Sequence, residues 1–172
     1  MSFWTDPKFK EPLRQHRWYL KFNDADLDVY TFALKECKKP EYEINITEHR
    51  LLTHTIKFPG LLKWKPIDVK IASVVSTSAD GKIVGSVNET VENFVSKFGY
   101  NDPNFSHQEI QKNNIGVNFE LYQIDEDGKR LELWLIYNPL IASVTYGNLS
   151  YENEGIMDVS LNINYDYAKL IK

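Results

Sequence analysis

The sequence predicts a mainly β fold: an antiparallel β-sandwich or barrel of about seven or eight strands, with one flanking helix and one long protruding hairpin. Two observations predict it. Several stretches alternate between apolar and polar residues and are bounded by turn-forming residues, which is typical of half-buried strands. The chain also contains 10 Tyr, 9 Phe and 4 Trp, residues that pack well on a pleated surface. A length of 172 residues fits one domain, predicted to span residues 1–172.

The first elements are an arm and two strands. Residues 1–16 are polar and interrupted by Pro7 and Pro12, so they predict an N-terminal arm rather than a packed element. Residues 17–22 and 29–37 both alternate, and an Asp-rich turn separates them. We expect these two strands to pair with each other as a hairpin.

A long hairpin is predicted over residues 41–71, with alternating strands at both ends and an apolar, basic segment between them. The expected turn lies at Phe58, Pro59 and Gly60. An exposed hairpin tip normally presents much less apolar surface, so this surface predicts contact with another molecule. The candidate interface residues are Leu51, Leu52, Ile56, Phe58, Leu61, Leu62 and Trp64.

One helix is predicted over residues 87–99. Its apolar residues recur at helical spacing on one stripe, namely Val87, Val91, Phe94, Val95 and Phe98. Ser86 or Asn88 is the expected N-cap, and Gly99 supplies the C-terminal stop.

Two further hairpins complete the chain. Residues 115–124 and 129–137 flank one acidic, Gly-containing turn, and residues 140–151 and 156–167 flank another. The last strand predicts two different faces. Its apolar face consists of Met157, Val159, Leu161, Ile163, Tyr165 and Tyr167. Its polar face has no Lys or Arg and consists of Asp158, Ser160, Asn162, Asn164 and Asp166.

Composition excludes several classes of function. A formal net charge of -4 argues against a general polyanion binder, because phosphate contacts need clustered Lys and Arg. No apolar run approaches the ~20 residues that span a bilayer, and the N-terminus lacks the apolar region of a signal peptide. Cys37 is the single cysteine, so an internal disulfide is excluded and a reducing compartment is expected. We expect a soluble protein with no membrane partner.

No motif for chemistry is complete. His49 and His54 are an odd number of residues apart and point to opposite faces of a regular strand, which argues against a metal site. Segment 24–28 has Asp spacing like a calcium loop but lacks its glycine and closing Glu, and the P-loop pattern fails at Ser86. We therefore expect no enzyme and no catalytic, cofactor-binding or metal-binding residues. A ligand-binding β-barrel, with aromatic residues lining a pocket, is the alternative class of function.

Two segments resemble a known family. One, residues 30–71, is YTFALKECKKPEYEINITEHRLLTHTIKFPGLLKWKPIDVKI, a strand, a kink and the long hairpin. The other, residues 137–167, is YNPLIASVTYGNLSYENEGIMDVSLNINYDY, which ends in a cluster of Tyr and Asp. Both are similar to segments of the tail tube proteins of contractile-tailed bacteriophages. That family is related to the tube proteins of type VI secretion and of other contractile injection systems.

The resemblance implies a structural virion protein: a tail tube subunit whose hexameric rings stack into the DNA conduit used in genome ejection, inside a contractile sheath. The implied partners are further copies of the chain and the sheath, baseplate and tail terminator proteins, while phage DNA passes through without tight binding. The implied location is the virion tail, assembled in the host cytoplasm. A tube initiator or terminator of the same tail is an alternative. The hairpin residues then form the subunit interface, and the polar face of the last strand faces a lumen or a neighbour.

Overall fold

The computed structural model describes five stretches of the chain: residues 13–23, 30–77, 79–97, 118–152 and 154–171. They form twelve β-strands, one α-helix and one 3-10 helix. In chain order the elements are β1 Trp18–Lys21, the 3-10 helix Thr31–Ala33, β2 Leu34–Cys37, β3 Glu41–Leu51, β4 His54–Lys65, β5 Ile67–Ala72, β6 Val75–Thr77, β7 Ile83–Ser86, α1 Val87–Lys97, β8 Phe119–Ile124, β9 Arg130–Tyr137, β10 Leu140–Thr145, β11 Asp158–Asn164 and β12 Tyr167–Ile171.

Two four-stranded antiparallel sheets form the body of the protein. Sheet A has the strand order β1-β8-β9-β12, and sheet B has the order β10-β11-β5-β2. Two smaller sheets, β3-β4 and β6-β7, have two strands each. The described residues therefore form a mainly β, sandwich-like structure with one helix, which confirms the predicted fold class. The described residues contain more strands than the seven or eight predicted, because the two-stranded sheets are present in addition to the eight strands of sheets A and B.

The core lies between the inward faces of sheets A and B. Along β5 and β11, buried residues alternate with more exposed ones, as expected when one face of each strand is packed. Helix α1 covers the same core with Val87, Val91 and Phe94. The ring of Phe119 in β8 joins these layers, since its centroid is 5.1 Å from that of Phe22 and 6.1 Å from that of Phe94.

Helix α1 forms where the sequence predicts it. The backbone N–H of Glu89 donates to the Ser86 hydroxyl at 3.2 Å, so Ser86 rather than Asn88 is the N-cap. The helix is described to Lys97, and the predicted end at residues 98–99 lies outside the described residues. No helix in the described stretches is long and apolar enough to cross a membrane.

The two strand pairings predicted near the C-terminus are confirmed in the described residues, as β8 with β9 and β10 with β11. The second pair is shorter than predicted, because β10 ends at Thr145 and β11 begins at Asp158, and the described residues between them are not strands. The β8–β9 turn is stabilised by the Asp125 carboxylate, which accepts hydrogen bonds from the backbone N–H groups of Asp127 at 3.0 Å and Lys129 at 2.8 Å. Gly128 has φ +76, a conformation that favours glycine. Local turn chemistry therefore determines this hairpin.

The predicted hairpin between the first two strands is wrong. β1 pairs with β8, with Leu20 opposite Leu121, and β2 pairs with β5 at the edge of sheet B. Residues 30–33 are not extended: they form a turn and the 3-10 helix, and the side chain of Tyr30 is buried. Strand β2 therefore begins only at Leu34. Alternation indicates which side chains share a face, but not which strand lies beside them.

The predicted last strand is divided between the two sheets. β11 ends at Asn164 in sheet B, and β12 begins at Tyr167 in sheet A. Asp166 lies in the short segment that crosses from β11 to β12, and two hydrogen bonds fix its position. Its backbone N–H donates to the carbonyl of Tyr137 at 3.1 Å, and its carboxylate accepts a hydrogen bond from Asn138 Nδ2 at 2.7 Å. Tyr167 stacks on Tyr137 with centroids 4.3 Å apart and is 46% exposed. The prediction that Tyr167 shares one face of a single strand with Val159 and Leu161 is therefore wrong.

The predicted N-terminal arm is described only from Leu13. The carbonyl of Arg14 accepts a hydrogen bond from Gln123 Nε2 at 3.0 Å, which ties this end of the arm to β8. The earlier part of the arm and the Asp-rich segment 24–28 lie outside the described residues.

Replacing Phe119 with Ala should lower the free energy of unfolding by about 3–5 kcal/mol, because its buried ring would leave a cavity between sheet A and helix α1. Phe32→Ala is the matched control: that ring is 75% exposed, so a change within about 0.5 kcal/mol is expected. Denaturant unfolding followed by circular dichroism measures both. Equal losses for the two variants would contradict the assigned core.

Candidate assembly interface

β3 and β4 form the long hairpin, which extends away from the body of the protein. Residues 42–51 and 54–63 are all exposed. The strands have 11 and 12 residues, so the hairpin reaches roughly 35–40 Å at about 3.4 Å per residue. Within the described stretches, β3 and β4 pair only with each other, so both faces and both outer edges are open to solvent in the single chain.

The limits of the hairpin differ from the prediction. The turn lies at Leu52 and Thr53, and the predicted turn at residues 58–60 lies instead within β4. The hairpin ends at Lys65, because residues 67–71, predicted as its last part, belong to β5 in sheet B. The Pro-Gly pair indicated a turn, but it occupies a β-bulge.

At the bulge, residues 60–61 of β4 together lie opposite Asn45. A Cβ added to Gly60 would lie 2.8 Å from the carbonyl oxygen of Asn45, so a larger residue requires the backbone to move. Pro59, which has no N–H to donate, is tolerated beside a bulge. The extra residue in β4 exchanges the faces of all the residues beyond it.

The exposed apolar residues of the hairpin form two patches on opposite faces. Side chains directly opposite each other in an antiparallel pair share a face, and successive residues alternate between faces. The basal patch, near the body, consists of Tyr42, Ile44, Ile46 and Leu62. The distal patch, near the turn, consists of Leu51, Ile56, Phe58 and Leu61.

Ion pairs occupy the face behind each patch. Behind the basal patch, Lys65 Nζ lies 3.0 Å from a carboxylate oxygen of Glu41. Behind the distal patch, Lys57 Nζ lies 3.3 Å from Glu48. Hydrogen bonds from Lys38 and then Lys65 hold the pKa of the Glu41 carboxyl below its usual value. Each apolar patch therefore has a charged, hydrated face behind it.

Six of the seven predicted interface residues are exposed on the hairpin. Leu52 at the turn and Leu61 at the bulge are the most exposed, at 103% and 82%. Trp64 is different, because its ring centroid lies 5.7 Å from that of Tyr165 and 5.1 Å from that of Tyr42, and it packs against the core. Trp64 therefore anchors the hairpin to the body.

Three residues of the basal patch were not among the predicted interface residues: Tyr42, Ile44 and Ile46. They alternate with polar residues in the sequence, and this signal shows that they share a face. The alternation does not reveal whether the rest of the chain covers that face. The structure leaves all three exposed.

Four of the five predicted polar-face residues lie on β11, on the outer face of sheet B: Asp158, Ser160, Asn162 and Asn164. Asp166 lies beyond the end of β11, at the crossing to β12. Neighbouring strands supply the cations that β11 lacks. Lys35 of β2 forms an ion pair with Asp158, and Lys70 of β5 lies 2.6 Å from Glu36. The outer face of sheet B is therefore charge-balanced rather than acidic.

The described residues contain no group of three or more His, Cys, Asp or Glu side chains that could hold a metal. The prediction that His49 and His54 point to opposite faces is wrong, because the turn lies between them: His54 is opposite Leu51, which shares a face with His49. Burial raises the pKa of the Cys37 thiol to about 12, so the nucleophilic thiolate is scarce at neutral pH.

An open cavity of about 540 Å³ lies beside β1 and β2, the edge strands of sheets A and B. Its walls include Trp18, Trp134 and Gln123. This is the feature that the alternative ligand-binding function would use. The buried phenylalanine rings of the core do not line it, since they pack against one another instead.

A scan of protein-family models and a search of curated proteins gave no match to the sequence. Solved structures do match the fold. A chain in the cryo-EM structure of the anti-feeding prophage tube-terminating cap has a TM-score of 0.68 and 12% identity, over 98% of this chain and 97% of that one. The chain therefore shares its fold with a chain of this tube-terminating cap.

Two further matches come from an extracellular contractile injection system called PVC. A chain of its sheath/tube terminator in the extended state has a TM-score of 0.69 and 10% identity, over 95% of this chain and 99% of that one. A chain of its sheath–tube complex has a TM-score of 0.66 and 10% identity, over 93% and 91% of the two chains. The predicted relationship to contractile-tail tube proteins is thus confirmed at the level of the fold.

Gly60→Ala should loosen the hairpin without unfolding the body, because the new Cβ meets the backbone of Asn45. A local cost of about 1–2 kcal/mol corresponds to roughly 5–30-fold faster amide exchange. Hydrogen exchange read by mass spectrometry should show this rise in peptides from residues 41–65 and no change in β5 and β11. Thr55→Ala, in the same hairpin and five residues from Gly60, is the control. Unchanged exchange in Gly60→Ala would show that the bulge is placed wrongly.

Proposed function

We propose that the protein is a tail tube subunit of a contractile tail or injection system. Its copies form hexameric rings, and the rings stack into a hollow tube inside a contractile sheath. The observation that carries the proposal is the exposed hairpin with its two apolar patches. The body that bears this hairpin has a fold that matches nearly the whole length of a chain from a sheath–tube complex.

A neighbouring copy explains the exposed apolar surface. Large apolar patches are a liability on a monomer and typically mark a contact with another protein. Fully burying one such side chain contributes roughly 1.5–3 kcal/mol, so the residues of each patch can together hold an interface. The hairpin of one copy meets a different surface of the next, and contacts of this heterologous kind close into rings or continue as filaments.

Open strand edges offer further contacts. β1 and β12 are the edges of sheet A, and β10 and β2 are the edges of sheet B. Unpaired backbone groups on such edges can hydrogen-bond to a strand of another chain. In a ring these edges are covered by neighbours.

The proposed role is structural rather than enzymatic. The partners are further copies of the chain, the sheath around the tube, the baseplate and the tail terminator, and the location is the tail of the particle, assembled in the host cytoplasm. An initiator or terminator of the same tail is the alternative, because the fold also matches chains from a cap and a terminator. A repeating subunit extends into tubes, whereas a terminator stops at one ring.

The outer face of sheet B can line the lumen of the tube or contact a neighbouring subunit. Its carboxylates are paired with lysines or hydrogen-bonded, as in the 2.7 Å hydrogen bond from Asn162 Nδ2 to Asp68. A conduit should let DNA slide, and a face without unpaired clusters of Lys and Arg offers few phosphate contacts.

The purified protein should form rings and tubes at high concentration, and the triple variant Leu52→Ser, Phe58→Ser, Leu61→Ser should abolish them. These side chains are at least half exposed, so the variant should remain a folded, soluble monomer with a nearly unchanged melting temperature. Electron microscopy detects rings and tubes, sedimentation shows whether the variant is a monomer, and thermal unfolding gives the melting temperature.

The matched control for the triple variant is Glu48→Ser with Lys57→Ser, which removes an exposed ion pair behind the distal patch and should leave assembly intact. An unfolded triple variant, or one that still polymerises, would show that the interface is misplaced. A wild-type protein that forms only a stable twofold dimer would contradict the proposed function.

Binding to duplex DNA should be weak at physiological salt, because the net charge is -4 and the lysines of sheet B are paired. Non-specific DNA binders reach dissociation constants of about 10⁻⁴–10⁻⁶ M. Fluorescence anisotropy at several salt concentrations tests this. The variant Asp158→Lys with Asn162→Lys should bind more tightly and with a steeper salt dependence. A wild-type dissociation constant below about 1 μM that rises steeply with salt would count against a conduit.

A further inference from the structure

The division of the hairpin's apolar surface has a geometric cause. In the sequence, Ile56, Phe58, Leu62 and Trp64 all occupy even positions, and on a regular strand they would form one apolar row. The bulge at residues 60–61 shifts the pairing by one residue. Ile56 and Phe58 therefore lie on the face opposite Leu62 and Trp64.

Neither face of the hairpin is apolar along its whole length. The face that bears the basal patch continues, toward the turn, into Glu48, Arg50 and Lys57. The face that bears the distal patch continues, toward the body, into Glu41, Glu43, Lys63 and Lys65. A partner lying along one entire face would cover one patch and also remove charged side chains from water, which is costly. It would leave the other patch exposed.

We propose that each hairpin is held between two other copies of the chain, one covering the basal patch and the other covering the distal patch from the opposite side. This inference rests on the proposed assembly into rings and tubes, and it adds that every hairpin joins three copies. The anchor of Trp64 on Tyr165 fixes the basal half of the hairpin against its own body. The two patches lie on opposite faces of the hairpin, so each faces a different neighbour.

Charge favours a second copy of this chain as the partner of each patch. Residues 41–65 contain four Lys or Arg and three Glu, a net charge of +1, and the whole chain has -4, which leaves -5 for the rest. The apolar patches are therefore carried on a slightly basic hairpin, whereas the rest of the chain has a negative net charge. Opposite charge steers such surfaces together and fixes their register.

Photo-crosslinking within the assembled full-length protein tests the proposal. The photoreactive residue benzoylphenylalanine replaces Ile44 in the basal patch and Phe58 in the distal patch of the same copy, both at exposed positions. This doubly labelled protein is mixed with about a twentyfold excess of unlabelled protein, allowed to assemble, irradiated and run on a denaturing gel. At this dilution a labelled copy has only unlabelled neighbours.

Labels on both patches should give crosslinked trimers, because each label reaches a different neighbour. The matched control places both labels in the basal patch, at Ile44 and Ile46, and should give dimers only. Mass spectrometry should map the crosslinks from positions 44 and 58 to different peptides of the neighbouring chains. Thermal unfolding of each labelled protein verifies that it is folded.

Two results separate the failure of this inference from the failure of the proposed function. In the first, rings or tubes assemble but the protein labelled at positions 44 and 58 gives only dimers or no crosslinks. One neighbour then covers both patches, or a patch stays free, and this inference alone is overturned. Unlabelled protein that stays monomeric at all concentrations would overturn the proposed function and the inference with it.

Discussion

The pairing of β5 with β11 at the centre of sheet B fixes the hairpin in place and joins the two sheets. Val69 lies opposite Leu161 and Ile71 opposite Val159, and each of these side chains is at most 1% exposed. β5 follows β4 with only Pro66 between them, so burial of β5 determines where the hairpin leaves the body. β11 leads directly to the crossing into β12, so the same pair also connects sheet B with sheet A.

The hairpin combines an anchored base with a free end. A two-stranded ribbon is marginally stable in water by itself. Trp64 packs on Tyr165, and the Tyr165 hydroxyl approaches the carbonyl of Glu41 at 3.5 Å, so the base is attached to the core. Beyond the bulge, within the part of the chain that the structure describes, the two strands pair with each other and carry an exposed ion pair, which contributes little when solvated. Contact with a neighbour would therefore order the distal half as well as bury its apolar residues.

The fold is shared with contractile-system chains at 10–12% identity. Such low identity is compatible with one fold because a sandwich core requires apolar residues of suitable size on inward faces, and many sequences satisfy this. Fold alone does not determine function. The surfaces that the fold leaves open support the function proposed for this chain, above all the hairpin patches and the charge-balanced outer face of sheet B.

Features that depend on residues close together in the chain can be predicted from the sequence. They are the helix with its Ser86 cap, the β8–β9 hairpin, the pairing of β10 with β11, and an excess of exposed apolar residues between Glu41 and Lys65. Three features became visible only in the folded protein: β1 pairs with β8, the predicted last strand is divided between sheets B and A, and the bulge at residues 60–61 divides one apolar row between two faces. The physical reason is that alternation specifies a face but not a partner strand, and one extra residue in a strand reverses every face beyond it.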